Sequence, residues 1–558
     1  MPLDIPCVGL LACAIIAVYI AYDHDLALDK LWTIVGALLL SRTIATQSRH
    51  DLNQALRILG YLGVLAACFT IWIVVAGRWS LSNESVDQLT PAFGFLSSFP
   101  HIPYGAADIL KGVLCLTLPF QFISAFLSLR EHRYARSILE FVGCLLLVVG
   151  LSTFRSTTAW LALGGGLFTG FVWFGSCVAS RQGKRRPHFY FSVAVLTLLF
   201  ITALILLRPG VLQQIEGLFI DPGAALNRIT IGQQAIDLIM EVPYTGGGLN
   251  AFSGYYSRYI LVTPHFYLPH SYNLFLNIAF EQGLIALILF ISVYVVSGWR
   301  IVSAGEDAND GRFDYLRAAA VMGYSVVVLS GLLSDAYFST LASPFLFLIP
   351  GLSVALNERK EIWHWPISIR RSAFDTFSRS PGMRQVKVLG MVGVLTIVAL
   401  LFMGGRSRAW WGSNQAVLYM ARVDLRGWPA ELPEYPLSPF TYGSIEEDLT
   451  SSIAYFSANY SAHYRLGLIA WGEYDFLSAE KHLQAAMDLR PGHRGIQKIL
   501  GQVLVWTGDL DEAYGHLRLI PESAADMEQY EQRWNDLGRD DLATNARTMA
   551  NRLKDGEP

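Results

Sequence analysis

Residues 136–179 read RSILEFVGCLLLVVGLSTFRSTTAWLALGGGLFTGFVWFGSCVA. Two apolar runs, 136–152 and 158–179, flank a short polar turn that holds Arg155. About 20 apolar residues in a helix cross the hydrocarbon core of a bilayer. Such a segment must satisfy its own backbone, which a helix does. The stretch therefore predicts two transmembrane helices joined by a turn at the membrane surface.

The same pattern extends in both directions. About eleven candidate spans emerge: 5–22, 30–42, 56–76, 107–128, 136–152, 158–179, 189–207, 272–297, 315–334, 338–356 and 386–404. Composition agrees. Of 558 residues 53% are apolar and only 16% are charged, against about 25% charged in soluble domains. An ordinary soluble enzyme and a disordered chain are excluded. A formal net charge of −3 speaks against a nucleic-acid binder. The first run, from Ile5 to Tyr22, lacks a basic leader and a clear small-residue cleavage site, so it reads as a transmembrane helix and not as a cleaved signal.

Loop charge orients the spans. Lys and Arg collect in cytoplasmic loops. The loop with Arg42, Arg49 and Arg57 is basic, as are 130–136, 181–186, 300–317 and 359–384. The alternate loops, 23–29, 77–106, the turn at Arg155, 208–271 and 334–337, are neutral or acidic. This alternation predicts a cytoplasmic N-terminus and an external chain from Gly405 onward. The expected division is 1–207 (N-terminal transmembrane helices), 208–271 (an external loop), 272–404 (C-terminal transmembrane helices) and 405–558 (an external polar tail). A loop of roughly 64 residues at 208–271 is long enough to expect a function there. The six cysteines lie in or beside apolar runs, up to Cys177, without metal-ligand spacing, and read as small buried hydrophobes.

The tail contains a repeat. Leu466, Gly467, Ala479 and Leu483 recur as Leu500, Gly501, Ala513 and Leu517, an offset of 34 residues. That is the tetratricopeptide period. The first unit matches well, the second fairly, and a third at 535–553 reads as a drifted capping helix, with flanking helices completing the stack. The repeats offer a surface for a protein partner; a spacer or stability cap is the alternative. The fold class is all-α: a polytopic membrane bundle of about eleven helices with a C-terminal helical-repeat unit.

Polar residues on the expected external face carry the candidate chemistry. Arg155 is either an interfacial arginine or, since external arginines are disfavoured, a functional one. Arg228 opens NRITIGQQAIDLIMEVPYTGGGLNAF, residues 227–252. Its apolar residues have helical spacing until Pro243 ends the run. Arg228 reads as a loop ion pair or as an anion ligand. His270, in PHFYLPHSYNLFLNIAFEQG at 264–283, is structural or a proton acceptor. Gly246, Gly247 and Gly248 form a backbone nest for an anion or a flexible turn; no P-loop Lys follows them. Two arginines, a histidine and a glycine-rich turn on one face point to an anionic ligand such as a phosphate or diphosphate.

At these residues the chain resembles the O-antigen ligase/polymerase family of bacterial membrane glycosyltransferases. The carriers are Arg228, Pro243, Gly246, Gly248 and Phe252, then His270, Asn273, Leu276, Glu281 and Gly283. Arg155 to Trp160 is similar to the family's preceding arginine segment. Tyr272 stands where the family has His directly before Asn, with His270 two residues earlier, and Phe154 replaces a serine.

The resemblance implies a multi-pass protein of the bacterial inner membrane that transfers a glycan from a polyprenyl-diphosphate carrier to a glycolipid, glycan or protein acceptor, with inversion and without a metal or other cofactor. Arg155 and Arg228 would hold the diphosphate, Gly246, Gly248, Tyr272 and Asn273 would line the substrate, and His270 or nearby Tyr272 would take the acceptor proton. A flippase of lipid-linked sugars and a non-catalytic assembly scaffold are the rival readings.

Overall fold

The computed structural model describes residues 3–47, 49–75, 106–154, 156–181, 223–263, 268, 270–303, 311–335, 337–338, 343–356, 405–429 and 442–556. Helices dominate, and no strand occurs among the described residues. The first part contains α1 (Asp4–Ile20), α2 (His24–Ala45), α3 (Arg49–Val75), α4 (Ala106–Arg130), α5 (Tyr134–Ser152) and α6 (Thr157–Arg181). Then come α7 (Gly223–Glu241) and the short α8 (Phe252–Tyr255), which runs into a π-turn at Tyr256–Leu261. Next are α9 (Leu274–Ser303), α10 (Gly311–Leu333) and two short pieces, α11 (Ser343–Leu346) and α12 (Leu348–Ala355).

Among the described residues, six helices are long and apolar enough to cross a membrane: Gln54–Trp72, Ile109–Arg130, Tyr134–Ser152, Thr158–Gly175, Leu274–Val302 and Tyr315–Leu333. Asp4–Ile20 and Pro344–Ala355 are apolar but shorter. Segment 30–42 falls inside α2, where Asp25, Asp29, Lys30 and Arg42 dilute the apolar character. Segments 189–207 and 386–404 lie outside the described residues.

Two features of the bundle position the site. Helices α6 and α10 run antiparallel, with Gly166 against Val326, Gly170 against Met322, and Thr169 Oγ1 donating to Ser325 Oγ at 2.8 Å. The start of α6 therefore lies beside the end of α10. Helix α9 is broken at Gly283, whose φ of 84° is a left-handed backbone open to glycine. Into this break packs the turn after α7, where Leu284 N donates to Pro243 O at 2.9 Å.

The tail holds α13 (Gly405–Asp424) and α14 (Gly443–Tyr455), then three antiparallel pairs. These are α15 (Tyr460–Gly472) with α16 (Phe476–Leu489), α17 (Arg494–Thr507) with α18 (Leu510–Leu517), and α19 (Ser523–Asp536) with α20 (Asp540–Asp555). Side chains of Asn459, Asp475, His493 and Asp509 cap four successive helices by accepting backbone N–H groups. The repeat is physical: a Cβ on Gly467 would stand 2.6 Å from Leu483 Cγ, and one on Gly501 2.7 Å from Leu517 Cγ. The third pair begins at Ser523, earlier than the drifted unit expected at 535–553. Its α20 buries Leu542, Ala546 and Met549, closing the stack. One apolar cluster runs from Ala235 and Leu238 of α7 through Tyr255 and Tyr259 to Met549, so the 223–262 segment and the tail share a core.

Candidate active site

The end of α10, the start of α9 and the chain leading into α9 converge. His270 Nδ1 lies 2.9 Å from Asp335 Oδ1, with His270 8% exposed and Asp335 2% exposed. The other Asp335 oxygen accepts from Asn277 Nδ2 at 2.5 Å, and Asn277 Oδ1 accepts from Ser271 N at 3.0 Å. Asn277 is thus fixed at both ends, and it fixes Asp335 in turn. Buried carboxylates need such partners, because an unmatched charge away from water is expensive.

Asn273 caps α9. Its Oδ1 accepts from Phe275 N at 3.0 Å and Leu276 N at 3.1 Å, and its Nδ2 donates to Leu332 O at 3.0 Å. One side chain ties the start of α9 to the end of α10, which holds His270 and Asp335 together. Tyr272 has φ 55°, a left-handed conformation that is uncommon outside glycine and concentrates at functional sites. Its ring meets the His270 ring edge to face at 4.8 Å, and the Arg228 guanidinium carbon lies 5.3 Å from the Tyr272 ring centre. Arg228, Tyr272, His270, Asp335 and Asn277 thus form a continuous chain of contacts. Arg155 lies outside the described residues.

The glycines have a different part. Gly246 N donates to Val242 O at 3.0 Å, Gly247 N to Phe280 O at 2.7 Å and Gly248 N to Glu281 O at 3.2 Å. All three amides are spent on protein carbonyls, so no anion nest is formed. Gly246 and Gly248 have φ of 75° and 104°, and a Cβ on either would stand 2.5 Å from backbone atoms, Phe280 O and Ala21 Cα respectively. These glycines let the turn close against α9 and α1.

Below the turn, Lys30 Nζ pairs with Glu281 at 2.7 Å, both buried, and Lys30 lies 4.0 Å from the Phe338 ring centre. Sequence reasoning did not single out Asp335, Asn277 or Lys30. The signals were faint: an acidic residue at a helix end on the loop side shared with His270, and an Asn one turn beyond Asn273.

A family model described as O-Antigen ligase matches residues 142–291. One described as Tetratricopeptide repeat matches residues 470–532. No curated protein and no solved structure matches the chain. With several helices able to cross a membrane and a charged, histidine-bearing site at their ends, this is a multi-pass membrane protein. Its segment 142–291 is similar to the O-antigen ligase domain and its segment 470–532 to a tetratricopeptide repeat; the former suggests a glycosyl-transferring enzyme of the membrane glycan ligase or polymerase type.

Proposed function

We propose that the chain transfers a glycan from a polyprenyl-diphosphate carrier to an acceptor hydroxyl on a glycolipid, a second glycan or a protein. The reading places the site on the external face of a bacterial inner membrane, with about eleven spans, loop 208–271 and tail 405–558 outside, and the N-terminus inside. What carries it is the His270–Asp335–Asn277 array beside Tyr272 and Arg228, most of it inside the segment matched by the O-Antigen ligase model.

Asp335 beside Nδ1 makes that nitrogen the protonated one, which leaves Nε2 as the basic atom. The acceptor oxygen attacks the anomeric carbon while His270 Nε2 takes its proton. The bond from that carbon to the carrier's diphosphate oxygen breaks, and its electron pair leaves on the diphosphate. Arg228, with Arg155 as the second arginine, stabilises this growing charge. A guanidinium suits the task because its fork meets two phosphate oxygens at once. Direct attack inverts the anomeric carbon, and no metal or other cofactor takes part. Tyr272 and Asn273 shape the substrate side of the histidine. Gly246 and Gly248 enter only by holding the turn.

The test is transfer by the purified full chain from host-derived carrier-linked glycan to host acceptor membranes. Arg228→Ala abolishes transfer, and Arg228→Lys retains at most a few per cent, because a point charge cannot replace the fork. Full activity of Arg228→Lys would refute the diphosphate role.

A further inference from the structure

The helical-repeat unit has its inner face filled by this chain's own segment 237–262. Helices α15 and α17, with Arg490 just after α16, supply the contacts. Tyr460 Oη donates to Asp237 O at 3.0 Å, and Arg490 Nη2 to Asp237 Oδ1 at 2.6 Å. Tyr464 Oη donates to Tyr259 O at 2.6 Å, and Lys498 Nζ to Leu261 O at 3.0 Å. The last two acceptors lie in the π-turn, where a regular ladder is interrupted and carbonyls need outside donors. Gly495 admits the segment: a Cβ there would stand 2.0 Å from Tyr259 O.

At the centre is a fully buried ion pair. Arg465 Nε donates to Glu241 Oε2 at 3.0 Å, its Nη2 donates to the same oxygen, and its guanidinium carbon stands 3.5 Å from the Tyr259 ring centre. His493 Nε2 faces the other Glu241 oxygen at 3.4 Å. Burial pushes the Glu241 carboxyl up, but Arg465 and His493 outweigh it and hold it below its ordinary value. A mere spacer needs no such array, since burying charges is costly unless each is matched.

We propose that Arg465 is a positioning residue for the transfer site, acting through Glu241 on the helix that carries Arg228. This rests on the role given to Arg228 above. Glu241 ends α7 and Arg228 stands near its start, roughly 20 Å away at 1.5 Å per residue. A tilt of about 5° at the Glu241 end moves the Arg228 end by nearly 2 Å, and a misplacement of about 1 Å can lower a rate about 100-fold. The repeat unit thus works in cis, as a clamp that sets where one arginine meets the leaving group.

Single-turnover transfer with the full chain in excess, from radiolabelled host carrier-linked glycan to host acceptor membranes, tests this. Read at saturating enzyme, where doubling the enzyme leaves it unchanged, the rate constant does not depend on the fraction of enzyme folded. Arg465→Met lowers the rate constant by roughly 10- to 100-fold, Arg465→Lys falls between it and the wild type, and Arg539→Ala, in an exposed pair with Asp541, matches the wild type. If Arg465→Met does not fold, Glu241→Gln, which keeps the shape of its partner, is read by the same rate constant. An unchanged rate constant, with or without lost amplitude, overturns the positioning role and leaves the repeats a structural cap. A wild-type rate in Arg228→Ala defeats the site reading itself, and the positioning role with it.

Discussion

Replacing Asp335 by Asn probes the histidine most sharply, because the surrounding hydrogen bonds dictate how the new side chain must sit. Asn277 Oδ1 is committed to Ser271 N, so Asn277 presents its Nδ2 to residue 335. In Asp335→Asn the carboxamide oxygen must accept that donor, which turns the carboxamide NH2 toward His270 Nδ1. Nδ1 then accepts, the ring proton moves to Nε2, and the base is lost. The electrostatic term acts in the same direction. In the proposed mechanism the acceptor proton makes His270 an imidazolium, so the carboxylate at 2.9 Å helps the transition state more than the ground state. Two unit charges about 3 Å apart at an effective dielectric of about 20 interact by roughly 5 kcal/mol. This sets the loss at up to about 5 kcal/mol, or up to several thousand-fold in kcat. The same exchange in a serine-protease triad costs about 10,000-fold for the same tautomeric reason. The assay is steady-state transfer with kcat and KM separated; KM should stay near the wild-type value. A variant that folds and keeps more than about a third of the wild-type kcat would refute the tautomer argument.

The remaining predictions concern the fold that carries the site. Gly246→Ala places a Cβ 2.5 Å from Phe280 O on a backbone with φ 75°; it should lower stability by about 3 kcal/mol or more, read as a fall in Tm with loss of transfer. The tail should lose stability as pH falls below 6.5. His463 and His482 face each other at 3.2 Å between their Nδ1 atoms, and burial, with Lys481 and for His482 the neighbouring His463, lowers both from 6.5. The unfolded chain then takes up protons first, so stability present above 6.5 is lost as pH drops toward the folded values. The full chain's Tm at pH 7.5 and pH 5 shows this, and His482→Gln should flatten the dependence; a Tm unmoved by acid in the wild type would contradict it.

Much of this architecture can be read from local pattern. Helices α5 and α6 follow from apolar run length, and the helix that ends at Glu241, just before Pro243, from spacing and a terminator. The repeat follows from identities one period apart, because Gly467 and Gly501 meet Leu483 and Leu517 in the same way. The order of segments from Arg228 to Gly283 is legible because they follow one another closely along the chain. What escapes is set by tertiary packing. Asp335 and Lys30 reach the site from remote helices, and neither has a local pattern that names its partner. The three glycines look like an anion nest until their amides are traced to Val242, Phe280 and Glu281. The tail looks like a free surface until Arg465 is found on Glu241, two hundred and more residues away in sequence.

The most direct measurement sizes the carrier-linked glycans in a host strain lacking this chain, complemented with the wild type or with Arg228→Ala. The account predicts that the wild type clears carrier-linked glycan and that Arg228→Ala lets it accumulate, as single units for a polymerase or as complete chains for a ligase. An unchanged glycan profile in all three strains would contradict the glycosyl-transfer assignment.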